Sequence, residues 1–204
     1  MEPPKPRRLR TSASLRRGLA TGLVTFVVAV GLAFPSEHIT RTFSLSLSLF
    51  LLALIIGAGI FFDVIGIATA VADEAPLHAM AAKKVRGARE GLRLVRYSEK
   101  VTSFCNDIVG DICGTVSGAL GAAIVFQIER LRPDLNEAVV SVVMVGVVAG
   151  LTVGGKAAAK GIGINDAEEI VRRVGIFLNW IEKYTGFSII GPKGSPRQRR
   201  TRRN

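Results

Sequence analysis

The chain has 204 residues, 49% of them apolar, yet it carries 27 Lys and Arg against 16 Asp and Glu, a net charge of +11. Residues 18–36, 42–62, 112–128 and 138–155 contain no Asp, Glu, Lys or Arg, which a soluble domain of this size does not normally allow. An ordinary soluble enzyme and a disordered chain are excluded, and nucleic acid is a poor explanation of the basic balance.

Each charge-free stretch approaches the ~20 residues that a helix needs to cross ~30 Å of hydrocarbon. The expected fold is all-α: a polytopic membrane protein with about four spanning helices, over residues 18–34, 43–72, 104–128 and 138–155. The charge lies between them, at +5 for 1–17, zero for 35–42, +3 for 73–103, −1 for 129–137 and +7 for 156–204. Lys/Arg-rich flanks stay cytoplasmic. The alternation therefore puts both termini and 73–103 on the cytoplasmic side of the cell membrane.

In chain order, residues 1–17 read as a basic cytoplasmic segment. The apolar run after it has a signal-peptide flavour, but it is long and lacks a small-x-small cleavage site, so 18–34 is a retained helix ended by Pro35. The second helix, 43–72, is longer than a bilayer needs and must tilt, extend inward or break near Gly57-Ala58-Gly59, with Pro76 closing it. Residues 77–97 set Leu77, Met80, Ala81, Val85, Ala88, Leu92 and Val95 at helical spacing, with Lys83, Arg86, Arg89, Arg93 and Arg96 around them. Such a basic amphipathic helix lies on the cytoplasmic membrane surface, against anionic lipid headgroups.

A second surface helix is expected over 166–187, its stripe formed by Ile170, Val174, Phe177, Ile181 and Tyr184. Asp166, Glu168 and Glu169 suit the positive end of its dipole, and Trp180 and Tyr184 suit the headgroup level. The remaining 188–204 form a solvated basic tail.

Two sets of glycines recur every four residues, Gly110/Gly114/Gly118 and Gly146/Gly150/Gly154. Small residues at this spacing let helices approach closely in lipid, within the chain or in a homodimer. Cys105 and Cys113, about 12 Å apart along one helix, are too distant for a disulfide and read as small apolar fillers.

Three acids interrupt the apolar runs: Asp63, Asp107 and Asp111. Asp63 is roughly 15 Å of rise from Asp73, and Asp111 roughly 16 Å from Lys100, so both reach mid-bilayer on different helices. The four-residue spacing of Asp107 and Asp111 sets them on one face. A charge at that depth costs ~3 kcal/mol or more, so each acid needs a partner, a proton or a cation. Lys156 and Lys160, at the inner end of the fourth helix, are the charge partners on offer, above all for Asp107. Asn106, Thr115 and Ser117 add neutral oxygens, and Mg²⁺ takes a few carboxylate and neutral oxygens plus water. The candidate metal residues are thus Asp63, Asp111, Asp107 and Asn106. His38 and His78 complete no catalytic constellation and no phosphate loop or zinc spacing is visible, so an enzyme is not expected.

The order of these parts resembles the transmembrane domain of the CorB/CorC and cyclin-M family of magnesium and cobalt transport proteins. The likeness runs from about Leu45 to Tyr184. It rests on Phe61-Phe62 before a polar position, the basic amphipathic helix, the segment YSEKVTSFCNDIVGDICGTVSGALGAA, and a last span ending in a Gly/Lys turn before another amphipathic helix. At the positions of the family's Ser-x-x-Glu after the aromatic residues this sequence departs, with Asp63 and Gly66. Against its Gly-Glu-x-x-Pro-Lys stands Gly155-Lys156-Ala157-Ala158-Ala159-Lys160, which keeps the Gly and the final Lys and replaces Glu by Lys and Pro by Ala. The resemblance implies a membrane Mg²⁺ site, with Asp63, Asp107 and Asp111 supplying carboxylates in place of both family glutamates. The family's CBS-pair regulatory domains have no counterpart in these residues, so nucleotide-dependent control is not expected. The leading reading is a minimal dimeric membrane domain for Mg²⁺ or Co²⁺ as substrate, without a resident cofactor. The alternative is a non-transporting scaffold.

Overall fold

The computed structural model describes residue 15 and residues 18–31 and 44–185. The basic N-terminal segment, Pro35, the outer loop 36–41 and the tail 188–204 fall wholly or mostly outside the described residues. Among the described residues every regular element is helical: α1 (Gly18–Gly31), α2 (Leu45–Val71), α3 (Glu74–Ala82), α4 (Ala88–Arg96), α5 (Ser98–Thr102), a π-helix (Ser103–Gly110), α6 (Asp111–Leu131), α7 (Glu137–Asn165) and α8 (Ala167–Thr185).

Three uninterrupted helical segments are long and apolar enough to cross a membrane: Leu45–Val71, Ser98–Leu131 and Glu137–Asn165, of 27, 34 and 29 residues. The described part of α1 is apolar but shorter. α2 does not break at Gly57-Ala58-Gly59, because a helix in lipid has no other partner for its backbone groups. Nor does Pro76 end it. α2 stops at Val71, and Pro76 lies in the first turn of α3, where a missing N–H removes no helical bond.

The surface helix expected over 77–97 is two helices. α3 ends with Lys84 N–H donating to the Ala81 carbonyl (3.1 Å) and Val85 N–H to the Met80 carbonyl (3.0 Å), with Lys84 left-handed at φ +57°. This is a Schellman ending with lysine where glycine usually stands. Gly87, at φ +81°, then opens α4. The fourth span likewise does not end at the Gly155-Lys156 turn. α7 continues through Ala157-Ala158-Ala159, strong helix formers, to Asn165. Only Asp166 separates it from α8.

The helices form two compact units: Met1–Ile56 with Asp111–Val148, and Gly57–Gly110 with Ala149–Asn204. In the first, α6 buries Ile112, Val116, Leu120, Ile124 and Val125. Gly121 lets it meet α7, with Val148 Cγ2 3.2 Å and Met144 Cγ 3.5 Å from where a Cβ would stand. Asn136 Oδ1 caps α7 by accepting from the backbone N–H of Ala138 (3.0 Å) and of Val139 (3.4 Å).

The second unit holds a core of Ala68, Ala72, Leu77, Leu92, Leu94, Ala167 and Val171. α4 and α8 pack against each other there, so the apolar face of α4 is taken by protein and not by lipid. A Cβ on Gly175 would strike the Gly87 carbonyl and stand 2.8 Å from the Gly91 nitrogen. Arg93 and Glu182 add a two-pronged ion pair. The buried side of α8 is therefore Ala167, Val171, Gly175 and Glu182, a stripe rotated from the expected one. Ile170, Val174 and Leu178 flank it, while Phe177, Trp180 and Tyr184 face outward.

Within the chain, a Cβ at Gly114, Gly118, Gly146, Gly150 or Gly154 would meet open space. Close approach falls instead on Gly66, Gly121, Gly155, Gly163 and Gly175. Four-residue spacing marks a small-residue stripe, and what covers it depends on the other helices. Cys105 and Cys113 are not joined by a disulfide.

Candidate functional site

Polar groups of the second unit gather around the second half of α2. Asp63 is mostly shielded, at 14% side-chain exposure, and its Oδ1 lies 3.5 Å from Lys156 Nζ, whose side chain is 30% exposed. Gly155 determines how the lysine gets there. A Cβ at that position would collide with Ile60, so α7 lies directly on α2 and the next residue reaches Asp63. Two turns on, Gly163 repeats the contact, with the Val64 carbonyl and Ile67 Cγ2 each 3.3 Å from its Cβ position.

The expectation that Lys156 pairs with Asp107 is corrected. It placed the lysine at a helix end, whereas the continuing α7 holds it on a helix face opposite Asp63. Asp107 is exposed and accepts from Ser103 Oγ at 2.8 Å. Lys160, one turn beyond Lys156, is exposed. Neutralising Asp63 locally removes the expense of an isolated charge in an apolar span.

One turn after Asp63, Gly66 faces the π-helical segment. A Cβ there would fall on the Asn106 amide, with Cγ 2.8 Å away, so only glycine admits this side chain. Thr102 Oγ1 donates to the Gly66 carbonyl at 3.1 Å. Asn106 Oδ1 is buried and has no hydrogen-bond partner. Such a stranded carbonyl is uncommon in native structures and invites a functional account. The segment's wider helical repeat is itself common at functional sites. Its end, Gly110, leaves room for the ammonium, with Lys156 Nζ 3.4 Å from the Cβ position.

Asp111 belongs to the other compact unit. Its side chain is exposed and its backbone carbonyl accepts from Thr115 Oγ1 at 2.9 Å. The π-helix ends between Asp107 and Asp111, so the α-helical spacing that was to align them does not apply. Ser117 is buried in the same unit, its hydroxyl without a partner. Among the described residues no three His, Cys, Asp or Glu side chains come together to hold a metal. Asp63, Asp107 and Asp111 accordingly do not gather into a three-carboxylate cluster.

Sequence reasoning missed Gly66 and Thr102 as parts of this cluster. One signal was present, since Gly66 is three residues after Asp63, a spacing that shares a helix face; Thr102 precedes a π-helical segment, where that spacing rule gives no guidance. Comparison with known proteins finds no matching family model, no similar curated protein and no similar solved structure. The cluster therefore has to be understood from its own chemistry.

That chemistry comprises one carboxylate, one flexible ammonium, one buried amide carbonyl and a threonine hydroxyl, on three helices. Oxygens of this kind serve hard cations, and a lysine ammonium is a compact point charge on a flexible stem.

Proposed function

We propose that the chain is a homodimeric, four-span membrane domain that binds and conducts a divalent cation, Mg²⁺ or Co²⁺, with Asp63 as the principal ligand. The observation that carries this reading is a shielded carboxylate in a helix long enough to span a membrane, one turn from a glycine against which a partnerless amide oxygen is buried. A buried acceptor left unsatisfied costs about 1–3 kcal/mol, and a cation with its waters would satisfy it. Mg²⁺ is usually held by one or two carboxylates and keeps several waters, so three converging acids are not required. Asp107 and its Ser103 partner line the way toward the basic cytoplasmic segment.

The N-terminal apolar run supplies the fourth crossing, with both termini cytoplasmic and the basic surfaces against anionic headgroups. A second copy covers Gly146, Gly150 and Gly154, which have open space around them within the chain. Flux of Mg²⁺ into liposomes containing the full chain tests the reading. Saturable uptake that Asp63→Asn and Asn106→Ala each reduce at least about tenfold supports it. Absence of uptake, with no thermal stabilisation of the detergent-solubilised protein by MgCl₂, overturns it.

The Asp63–Lys156 pair favours a second reading, a membrane scaffold, because a carboxylate already neutralised needs no ion. There Asp63→Asn and Lys156→Ala destabilise the fold equally with and without Mg²⁺, and no flux occurs.

A further inference from the structure

Resting on the reading that Asp63 takes a divalent cation, we propose that Lys156 is a tethered competitor for it. Its ammonium sits against the carboxylate in the ion-free protein and must be displaced when the divalent ion enters. Lys156 is then neither a static structural partner nor a ligand. It sets the concentration at which the site fills.

The geometry of the pair fits replacement better than permanent bonding. The Asp63–Lys156 separation is 3.5 Å, whereas Arg93 reaches Glu182 at 2.8 Å with a second hydrogen bond of 3.1 Å. Charge-assisted hydrogen bonds are normally ~2.7–2.9 Å, so the first contact is the looser. Lysine is a point charge on a flexible four-carbon stem, without the rigid fork that holds a carboxylate at two points. Its side chain is 30% exposed, so the ammonium keeps a way out of the cluster.

The surroundings keep the lysine in range without clamping it. Gly155 lies directly on Ile60 and fixes the register of α7 on α2. Gly110 leaves the space beside the ammonium open, a Cβ there standing 3.4 Å from Nζ, at van der Waals distance. On displacement the stem extends along the helix toward the interface, as lysines in spanning helices do. The exchange also keeps Asp63 from standing as a bare charge among apolar helices at any stage. A doubly charged ion has the stronger attraction for the carboxylate, so exchange discriminates against K⁺ and Na⁺.

The test is the midpoint of stabilisation of the purified full chain by MgCl₂ at constant ionic strength, with KCl as the control salt. Ligand-linked stabilisation follows the ratio of free ion to dissociation constant, so the midpoint reads affinity. Removing the competitor with Lys156→Met should move the midpoint to roughly tenfold lower MgCl₂ or beyond, a difference of ~1.4 kcal/mol in binding. Lys156→Gln, which keeps a polar head and guards against a folding failure of the methionine variant, should shift it the same way. Lys156→Arg, a better carboxylate partner, should raise it.

An unchanged or higher midpoint in both Lys156→Met and Lys156→Gln overturns the competitor role. If Asp63→Asn still abolishes the response in that case, the cation site itself stands. Loss of the MgCl₂ response in wild type and in all three lysine variants sinks the cation reading and this inference together.

Discussion

Arg93 and Glu182 close the interface between α4 and α8 with two parallel hydrogen bonds, Nη2 to Oε1 at 2.8 Å and Nη1 to Oε2 at 3.1 Å. The glutamate is almost fully enclosed, at 3% side-chain exposure, and the arginine is 17% exposed. The bonded carboxylate pushes the arginine further above its already high pKa, against the opposing effect of burial. The arginine is therefore charged at any ordinary pH. The pair explains why α8 is turned with an acid inward, a feature that apolar periodicity cannot reveal.

Removing one partner leaves the other charge enclosed, so Glu182→Leu or Arg93→Met alone should cost about 3 kcal/mol or more. The double variant should recover most of that loss, since two well-packed apolar groups can replace a buried pair. Thermal unfolding in detergent of the two single variants and the double variant checks this. Additive losses in the double variant would show that the two residues act separately.

The glycines give opposite predictions at different places. Gly175→Ala drives a methyl group into the Gly87 carbonyl, backbone that cannot swing aside, and should destabilise by ~1–3 kcal/mol. Gly150→Ala enters open space on a helix and should be neutral or stabilising by up to ~1 kcal/mol. Gly150→Leu then asks what covers that face. A fall in dimer content places a second copy there, and an unchanged oligomer places lipid there.

How far the sequence revealed this fold can be seen residue by residue. The three long helices were legible because apolar runs without charge have no other stable form in a membrane. The division of 77–97 was not, because its stop is a left-handed Lys84, where residue preference favours glycine. Gly155 was read as a terminator and is a contact point against Ile60, which moved Lys156 from a helix end to a helix face. That one misreading also assigned the lysine to Asp107. Asp63 was visible as an isolated acid in an apolar run, but the Asn106–Gly66 contact depends on how two helices cross, and no local pattern carries it.

Glu169 supplies an acid-dependent contribution to stability. Hydrogen bonds from Arg172, at 2.7 and 2.8 Å, and from Arg173, at 2.8 Å, hold its carboxyl at about 2, against an ordinary value of 4.5. The folded state therefore binds its proton more weakly than the unfolded chain. The stabilisation is full above about pH 4.5 and is lost as pH falls toward 2. The group is well exposed, so the effect is modest and screened by salt. Glu169→Gln should reduce stability at neutral pH and flatten its decline between these two values. An acid limb identical to wild type would show that the carboxylate contributes nothing.

Topology is checked by thiol labelling in a background with Cys105 and Cys113 replaced by serine. A cysteine at Ser36 or Asn136 should react with a membrane-impermeant reagent in intact cells, and one at Ser98 only after permeabilisation. The Lys/Arg excess of 73–103 is the reason to expect Ser98 inside. External reaction at Ser98 would reverse the orientation. Failure of Ser36 to react while Asn136 does would remove the crossing assigned to residues 18–34.

Trp180 is the protein's one tryptophan and sits in the outward stack of α8, 57% exposed. Its ring centroid is 6.1 Å from that of Phe177 and 5.0 Å from that of Tyr184. Gly175 against Gly87 and Glu182 against Arg93 fix the rotation of α8, so these rings cannot turn inward without breaking both contacts. The helix follows α7 after Asp166 alone, which keeps its start beside the end of a segment long enough to span a membrane. Aromatic rings with a polar edge prefer the headgroup layer, and this face of α8 is where that preference can act. In nanodiscs, Trp180 fluorescence should be quenched by lipids brominated near the headgroup end of the acyl chain, and only weakly by aqueous acrylamide. Arg173→Glu and Lys183→Glu together should weaken the lipid quenching in anionic nanodiscs more than in neutral ones, because the basic rim draws the helix down. Strong acrylamide quenching with no response to brominated lipid would place the stack in water. Protection from both quenchers would place it against protein, and a second copy would then cover α8.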